Sequence, residues 1–240
     1  MKSKNIYEAY GKNQNIEAFE ILKKRLTINK ISLNLIKNKN VLNVCDPSGR
    51  YSLALYKLGA KTVDTVNETP KPENWNNKFF FKKVNLSKKI KINKSYDLIF
   101  CNGILSHKKN WKQILKNMSE FLNKSGYLWL SLYSNGNHWK VADKVKKKLD
   151  IAIQKNFIMS LKYRDWKPNK INFLVELFFK NRIYFSKKQI SNYLKKIKYK
   201  KIIFLNRGIK TDLNEKIYND YKLKEIYGEG EIRLLAKKDF

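Results

Sequence analysis

The stretch from Val41 to Glu68 constrains the fold more than any other, because a short apolar run, a tight turn, an amphipathic segment and a second apolar run follow without a gap. That is the pattern of a βαβ unit. Val41, Leu42 and Val44 read as a buried strand and Cys45 to Gly49 as the turn. Arg50 to Lys57 read as a helix that Gly59 stops, and Thr62 to Val66 as a second strand parallel to the first. Such a unit leaves a crevice at the carboxyl end of the first strand, where backbone N–H groups at the helix start can hold a negative group of a ligand. In folds of this kind the acid that anchors a ribose lies about 20 residues beyond the loop. Asn67 and Glu68 occupy that region, and Glu68 is the acid available.

At these residues the chain resembles the class I S-adenosylmethionine-dependent methyltransferases, whose first motif is an apolar pair, an Asp or Glu, and a loop with spaced glycines. Asn43 stands at the acid position, Cys45 and Pro47 at the first two glycine positions, and Gly49 keeps its glycine. Ser48 to Leu55, followed by Lys57-Leu58-Gly59-Ala60, looks like the family's loop exit and first helix. A Cβ in this loop obstructs positive φ and close approach of a ligand, and Pro47 also removes one N–H donor. The resemblance implies an α/β fold: a Rossmann-like, seven-stranded, mostly parallel sheet with helices on both faces and an antiparallel last strand.

Downstream, Lys78 to Val84 reads as a third strand, Tyr96 to Cys101 as a fourth, Trp111 to Leu122 as an amphipathic helix and Tyr127 to Tyr133 as a fifth strand. Asn123-Lys124-Ser125-Gly126 is expected to be the turn before that fifth strand. Lys201 to Leu205 and Glu231 to Ala236 read as the sixth and seventh strands, an antiparallel pair. The chain is thus read as a single domain over 1–240. An N-terminal helical segment spans 1–40, a cofactor-binding core 41–133, a helical cap insertion 134–199 and a C-terminal strand pair 200–240. Within the insertion, Val141 to Ile158 reads as a basic helix, Ile171 to Phe179 as a very apolar segment, and Ser186 as the N-cap of a further helix.

The formal charge of +32, from 52 basic and 20 acidic residues, implies weak, salt-sensitive binding to polyanions whatever else the protein does. Nearly all of the basic residues are lysine, and arginine, which makes bidentate phosphate and guanine contacts, is confined to Arg25, Arg50, Arg164, Arg182, Arg207 and Arg233. Asn, Ile, Tyr and Phe, like Lys, have AT-rich codons, so base composition accounts for much of the lysine. No apolar run approaches the length of a membrane span and the start lacks a secretory pattern, so a cytoplasmic protein is expected. Cys45 with Cys101, and His107 with His138, give no metal-ligand spacing.

The resemblance implies S-adenosylmethionine as cofactor and a small or medium-sized acceptor. It places Asn43, Cys45, Ser48 and Gly49 around the methionine part, Asn67 or Glu68 at the ribose, Asn85 and Leu86 at the adenine, and Cys101 with Asn102 beside the methyl. His107, in the loop after the fourth strand, is the candidate general base, because its ordinary pKa lies near neutrality. His138 is the second choice, on a polar loop read as facing substrate. Tyr7 or Tyr10 could stack on the cofactor or pack as ordinary aromatics. Arg207 and Arg233 each either hold an anionic substrate group or simply pair with Glu229 and Glu231. Two other readings stay open: a methyltransferase-like binding protein without activity, retained for its basic surface, and an RNA methyltransferase. Oligomeric state is not legible.

Overall fold

The computed structural model describes residues 11–239 apart from positions 47, 72–74, 91, 137, 148–155, 157–180 and 211. Its centre is a seven-stranded sheet in the order β3-β2-β1-β4-β5-β7-β6. The strands are β1 (Asn40–Val44), β2 (Thr62–Asn67), β3 (Phe80–Lys83), β4 (Tyr96–Asn102), β5 (Leu122–Tyr133), β6 (Tyr199–Phe204) and β7 (Glu231–Lys238). β1 to β5 run parallel, and β7 lies antiparallel between β5 and β6. The expected seven-stranded, mostly parallel sheet with an antiparallel last strand is what forms.

The helices are α1 (Gly11–Ile28), α2 (Arg50–Lys57), α3 (Trp111–Ser119), α4 (His138–Lys146), α5 (Lys187–Lys196), α6 (Leu213–Asn219) and α7 (Lys222–Tyr227). Alternation along the strands sorts the core into two layers. Val41, Leu98, Phe100 and Trp129 meet Leu22 and Leu26 of α1 and Leu55 of α2 on one face. Leu42, Val44, Ile99, Cys101, Leu128 and Leu130 meet Ile114, Leu115 and Met118 of α3 and Ile190 and Leu194 of α5 on the other. With both faces covered, β1 and β4 are almost continuously buried. No helix among the described residues is long and apolar enough to cross a membrane.

Four details depart from the sequence expectations. α3 ends at Ser119, and Asn123-Lys124-Ser125-Gly126 lies inside β5 instead of forming a turn before it. The cause is Asp97, whose carboxylate accepts from the Asn40 backbone N–H and the Asn123 side-chain amide at 2.9 Å each and so draws that segment in beside β4. The register jumps from Tyr96↔Leu122 to Leu98↔Tyr127, which places five steps of β5 against two of β4 and makes a bulge. Second, β3 is shorter than expected and lies at the sheet edge, with Lys82 and Lys83 exposed. Third, the segment connecting β6 and β7, to which the sequence reading gave no elements, forms α6 and α7. Fourth, α5, within the stretch read as a cap, packs into the main core through Ile190 and Leu194. Ser186 caps it as expected, accepting from the Gln189 N–H at 3.1 Å.

Tyr7, Tyr10, Pro47, Ile171 to Phe179 and most of Val141 to Ile158 lie outside the described residues.

Candidate active site

The parallel strands end at one edge, where Val44, Val66 and Cys101 stand level. Register alone therefore gathers Cys45, Asn67 with Glu68, and Asn102 into one crevice. Cys45 turns the chain out of β1 with φ of +59°, a left-handed conformation that glycine normally takes. Its backbone N–H remains bonded to Val66, at 2.8 Å. Burial, and then the negative charge of Glu68, pushes the Cys45 thiol up to about 12. Burial likewise pushes the Cys101 thiol well above its ordinary value.

Sequence reasoning missed the residue that organises this loop. Asp46 is buried, and its Oδ2 accepts from the backbone N–H groups of Tyr51 and Ser52 at 2.9 Å each, from the Ser52 hydroxyl at 3.1 Å and from the Asn43 amide at 3.0 Å. Ser48 donates to Oδ1 at 3.3 Å. The Asn43 amide also donates to Ser52 Oγ at 2.8 Å, and Ser52 Oγ lies 2.8 Å from Thr65 Oγ1. The helix start expected to hold a ligand's negative group is thus already occupied by this chain's own carboxylate. Asp46 stands four residues ahead of Arg50, the first helical residue, with Gly49 at the N-cap, so the usual N-cap signal does not mark it; an acid close to a helix start is the weaker cue the sequence offered. Asn43 and Ser48 serve this internal network.

Gly49 has φ of +73°, and a Cβ there would stand 2.9 Å from the Trp75 ring. The indole, held by its N–H to the Phe79 carbonyl at 3.0 Å, thus lies on the glycine. Trp75 was not singled out from sequence, and nothing local marks it.

At the end of β2, Asn67 Oδ1 accepts from the Glu68 N–H at 2.9 Å, while the buried Asn67 Nδ2 has no hydrogen-bond partner. The Glu68 carboxylate pairs with Lys108, another residue not anticipated. At the end of β4, Gly103 has φ of +88° and open space where a Cβ would stand. Leu86 is buried in the same apolar cluster as Val44, Val66 and Leu105. Asn85 is exposed, and its side-chain carbonyl, expected to serve adenine, accepts from the Ser87 N–H at 2.9 Å and closes its own turn.

His107 ends a 3-10 turn, Ile104–His107, on the same edge. Its Nδ1 lies 2.8 Å from the Asn181 carbonyl, and the Tyr133 ring meets the imidazole edge-on at 5.6 Å. A carbonyl only accepts, so Nδ1 carries the proton and Nε2 is the basic nitrogen of the neutral ring. His138 opens α4, and its side chain lies outside the described residues.

Arg207 is bound bidentately by Glu215, through Nε at 2.9 Å and Nη2 at 2.5 Å, and lies over Tyr218. Its expected partners, Glu229 and Glu231, are replaced by this one, and the guanidinium is not held out toward a substrate anion. Arg233 does pair with Glu231, at 2.5 Å, and also with Asp212, at 3.0 Å. Asp212 additionally holds Arg25 of α1 bidentately, at 3.0 and 3.2 Å. The segment after β6 is thereby pinned to the first helix.

The sequence profile described as a methyltransferase domain matches residues 17–196. No curated protein sequence matches the chain. Among solved structures, the chain is similar to a chain of the Haloferax volcanii complex between the Trm112 methyltransferase activator and a methyltransferase, with TM-score 0.62, 9% identity and 100% of each chain covered. It is also similar to an S-adenosylmethionine-dependent methyltransferase of Thermotoga maritima, with TM-score 0.55, 15% identity, and 97% of this chain and 92% of that one covered. A third is the 1,6-didemethyltoxoflavin-N1-methyltransferase of Burkholderia thailandensis, bound to 1,6-didemethyltoxoflavin and S-adenosylhomocysteine. It has TM-score 0.53 and 14% identity, with 95% of this chain and 79% of that one covered. At such identities the structural likeness speaks for the fold, and the profile, spanning most of the sequence, speaks for descent. The chain belongs to the methyltransferase domain family, the class I S-adenosylmethionine-dependent methyltransferases of Rossmann-like fold.

Proposed function

We propose that this methyltransferase transfers a methyl group from S-adenosylmethionine to a nucleophilic atom of a small or medium-sized acceptor at the carboxyl edge of the sheet. One observation carries the reading: a carboxylate (Glu68) and an orphaned buried amide donor (Asn67 Nδ2) at the end of β2, and open space beside Gly103 at the end of β4, stand on either side of the β1 tip. A ribose offers hydroxyls to the first and an acceptor oxygen to the second, and the open backbone leaves room beside the reacting centre. The residues present fit the adenosyl group. The 1,6-didemethyltoxoflavin complex supports a small acceptor by analogy.

In this reading Glu68 and Asn67 hold the ribose, Leu86 provides an apolar wall for the adenine with Asn85 at its rim, and Cys45 and Gly49 border the methionine part. Asn43 and Ser48 act there through Asp46. Cys101 and Asn102 floor the crevice beside the transferred group. When bound, the sulfonium cofactor supplies an electrophilic methyl group. The chain's own task is then to orient the acceptor and remove its proton. His107 Nε2 takes that proton, and the Asn181 carbonyl keeps the ring in the required tautomer. His138 is the alternative base, and Arg207, bound by Glu215, is not an anion-holder in this reading. The large positive charge adds salt-sensitive attraction to polyanions, outside the reaction itself.

The test is a radiolabelled methyl donor offered with a panel of small amines, phenols and heterocyclic nitrogens, and separately with bulk RNA. Label entering a small acceptor supports the reading. Label entering RNA alone would replace it with RNA methylation, and no transfer to any acceptor with the cofactor bound would favour a binding role.

A further inference from the structure

The ion pair between Glu68 and Lys108 joins two strand ends that are not neighbours. Glu68 follows β2 and Lys108 follows the turn after β4, and β1 lies between them in the sheet. Two inter-strand spacings amount to about 10 Å, which a lysine and a glutamate side chain reaching toward each other can span. The bridge therefore passes over the tip of β1, where the loop from Cys45 to Gly49 begins. The Cys45 thiol beneath it responds to both charges, upward to Glu68 and downward to Lys108. Side-chain exposures of 24% for Lys108 and 27% for Glu68 leave the pair at the crevice mouth and not in the core.

We infer that Lys108 is a latch on the cofactor crevice, holding Glu68 until an adenosyl ligand takes its place. This rests on Glu68 being the ribose acid. The Glu68 oxygen that pairs with Lys108 cannot at the same time keep that ammonium and give its full accepting capacity to the ribose diol. Binding therefore exchanges the ion pair for ribose hydroxyl bonds, and part of the binding energy is spent on opening the bridge. A pair at the crevice mouth is weak, so the latch lowers affinity by a factor of about three to ten and does not block the site. Because such a pair is screened by salt, the affinity of the wild-type protein for an adenosyl ligand of zero net charge rises with ionic strength. Ordinary charge attraction would give the opposite trend. Lys109, its sequence neighbour, is exposed and makes an internal control.

The experiment is calorimetric titration of the full chain with S-adenosylhomocysteine, whose sulfur is neutral, at low and high salt. The proteins are wild type, Lys108→Met, Lys109→Met and Glu68→Gln, each checked for an unchanged melting profile. The latch is supported if Lys108→Met binds about three to ten times more tightly than wild type and loses the salt dependence, with Lys109→Met like wild type. Glu68→Gln should bind more weakly than Lys108→Met and be flat in salt. Equal or weaker binding by Lys108→Met overturns the latch while leaving the cofactor reading intact. No binding by wild type or any variant overturns the cofactor reading, and the latch with it.

Discussion

The carboxylate of Asp46 accepts both the backbone N–H and the hydroxyl of Ser52, at 2.9 and 3.1 Å, and so closes the loop after β1 onto the first turn of α2. In a family whose loop relies on spaced glycines, this chain fixes the same turn with a buried charge, assisted by Asn43 and Ser48. The negative group also meets the positive end of the helix dipole.

Removing that carboxylate leaves the amides of Tyr51, Ser52 and Asn43 short of an acceptor. Asp46→Ala is expected to lose about 3 kcal/mol of stability, and Asp46→Asn, which keeps one acceptor oxygen, about half as much. Urea denaturation of the two variants checks both the size and the order.

Gly49 combines a left-handed backbone with the Trp75 ring against its missing side chain. Gly49→Ala is expected to cost about 2 kcal/mol, part from backbone conformation and part from the ring contact. Trp75→Leu in the same chain should recover the contact part only, a non-additivity that a double-mutant cycle measures.

Burial alone would raise the Asp212 carboxyl, but the hydrogen bonds from Arg25 and the charges of Arg233 and Arg25 outweigh it and hold it below its ordinary value. A folded pKa below the unfolded one stabilises above the unfolded value, near 3.8, and that contribution is lost as pH falls through the folded value. Asp212→Asn is therefore expected to be destabilised by about 2 to 4 kcal/mol at pH 7, and the gap to wild type should narrow below pH about 4. Denaturant midpoints across that range give the curve.

With the Cys45 thiol pushed up to about 12 and Cys101 buried, both stay protonated at pH 8. Iodoacetamide should leave the native protein almost unmodified over minutes and alkylate both cysteines once it is denatured. Mass spectrometry reads the outcome directly.

The βαβ unit was legible because its signals are local. The apolar run of Val41, Leu42 and Val44, the punctuation by Gly49 and Gly59, and the apolar stripe of α2 each lie within a few residues of one another, and the helix spans Arg50–Lys57 as read. What escaped was decided at a distance. Asn123 to Gly126 has turn composition, yet Asp97 on another strand draws it into β5. Lys108 is one lysine among dozens until the sheet order sets it across from Glu68. Arg207 had several acids within reach along the sequence, and the path of α6 rather than composition selects Glu215. Asp46 lay between these cases: its place before a helix was visible, but not that its carboxylate would fill the helix start.

His107 is held by the Asn181 carbonyl with Nε2 as its basic atom. His107→Gln is expected to lower turnover about 100-fold or more, with the greatest loss at low donor reactivity of the acceptor, while S-adenosylhomocysteine affinity stays within about twofold. Unchanged turnover would move the role to His138.

The most direct test of the whole account is the binding of S-adenosylmethionine itself, measured by isothermal titration on wild type and on Glu68→Ala. The expected result is saturable one-to-one binding by wild type, weakened at least about tenfold by Glu68→Ala through loss of the charged acceptor for the ribose. Absence of binding by wild type at millimolar ligand, or equal binding by the two proteins, would contradict the placement of the cofactor at the ends of β1, β2 and β4.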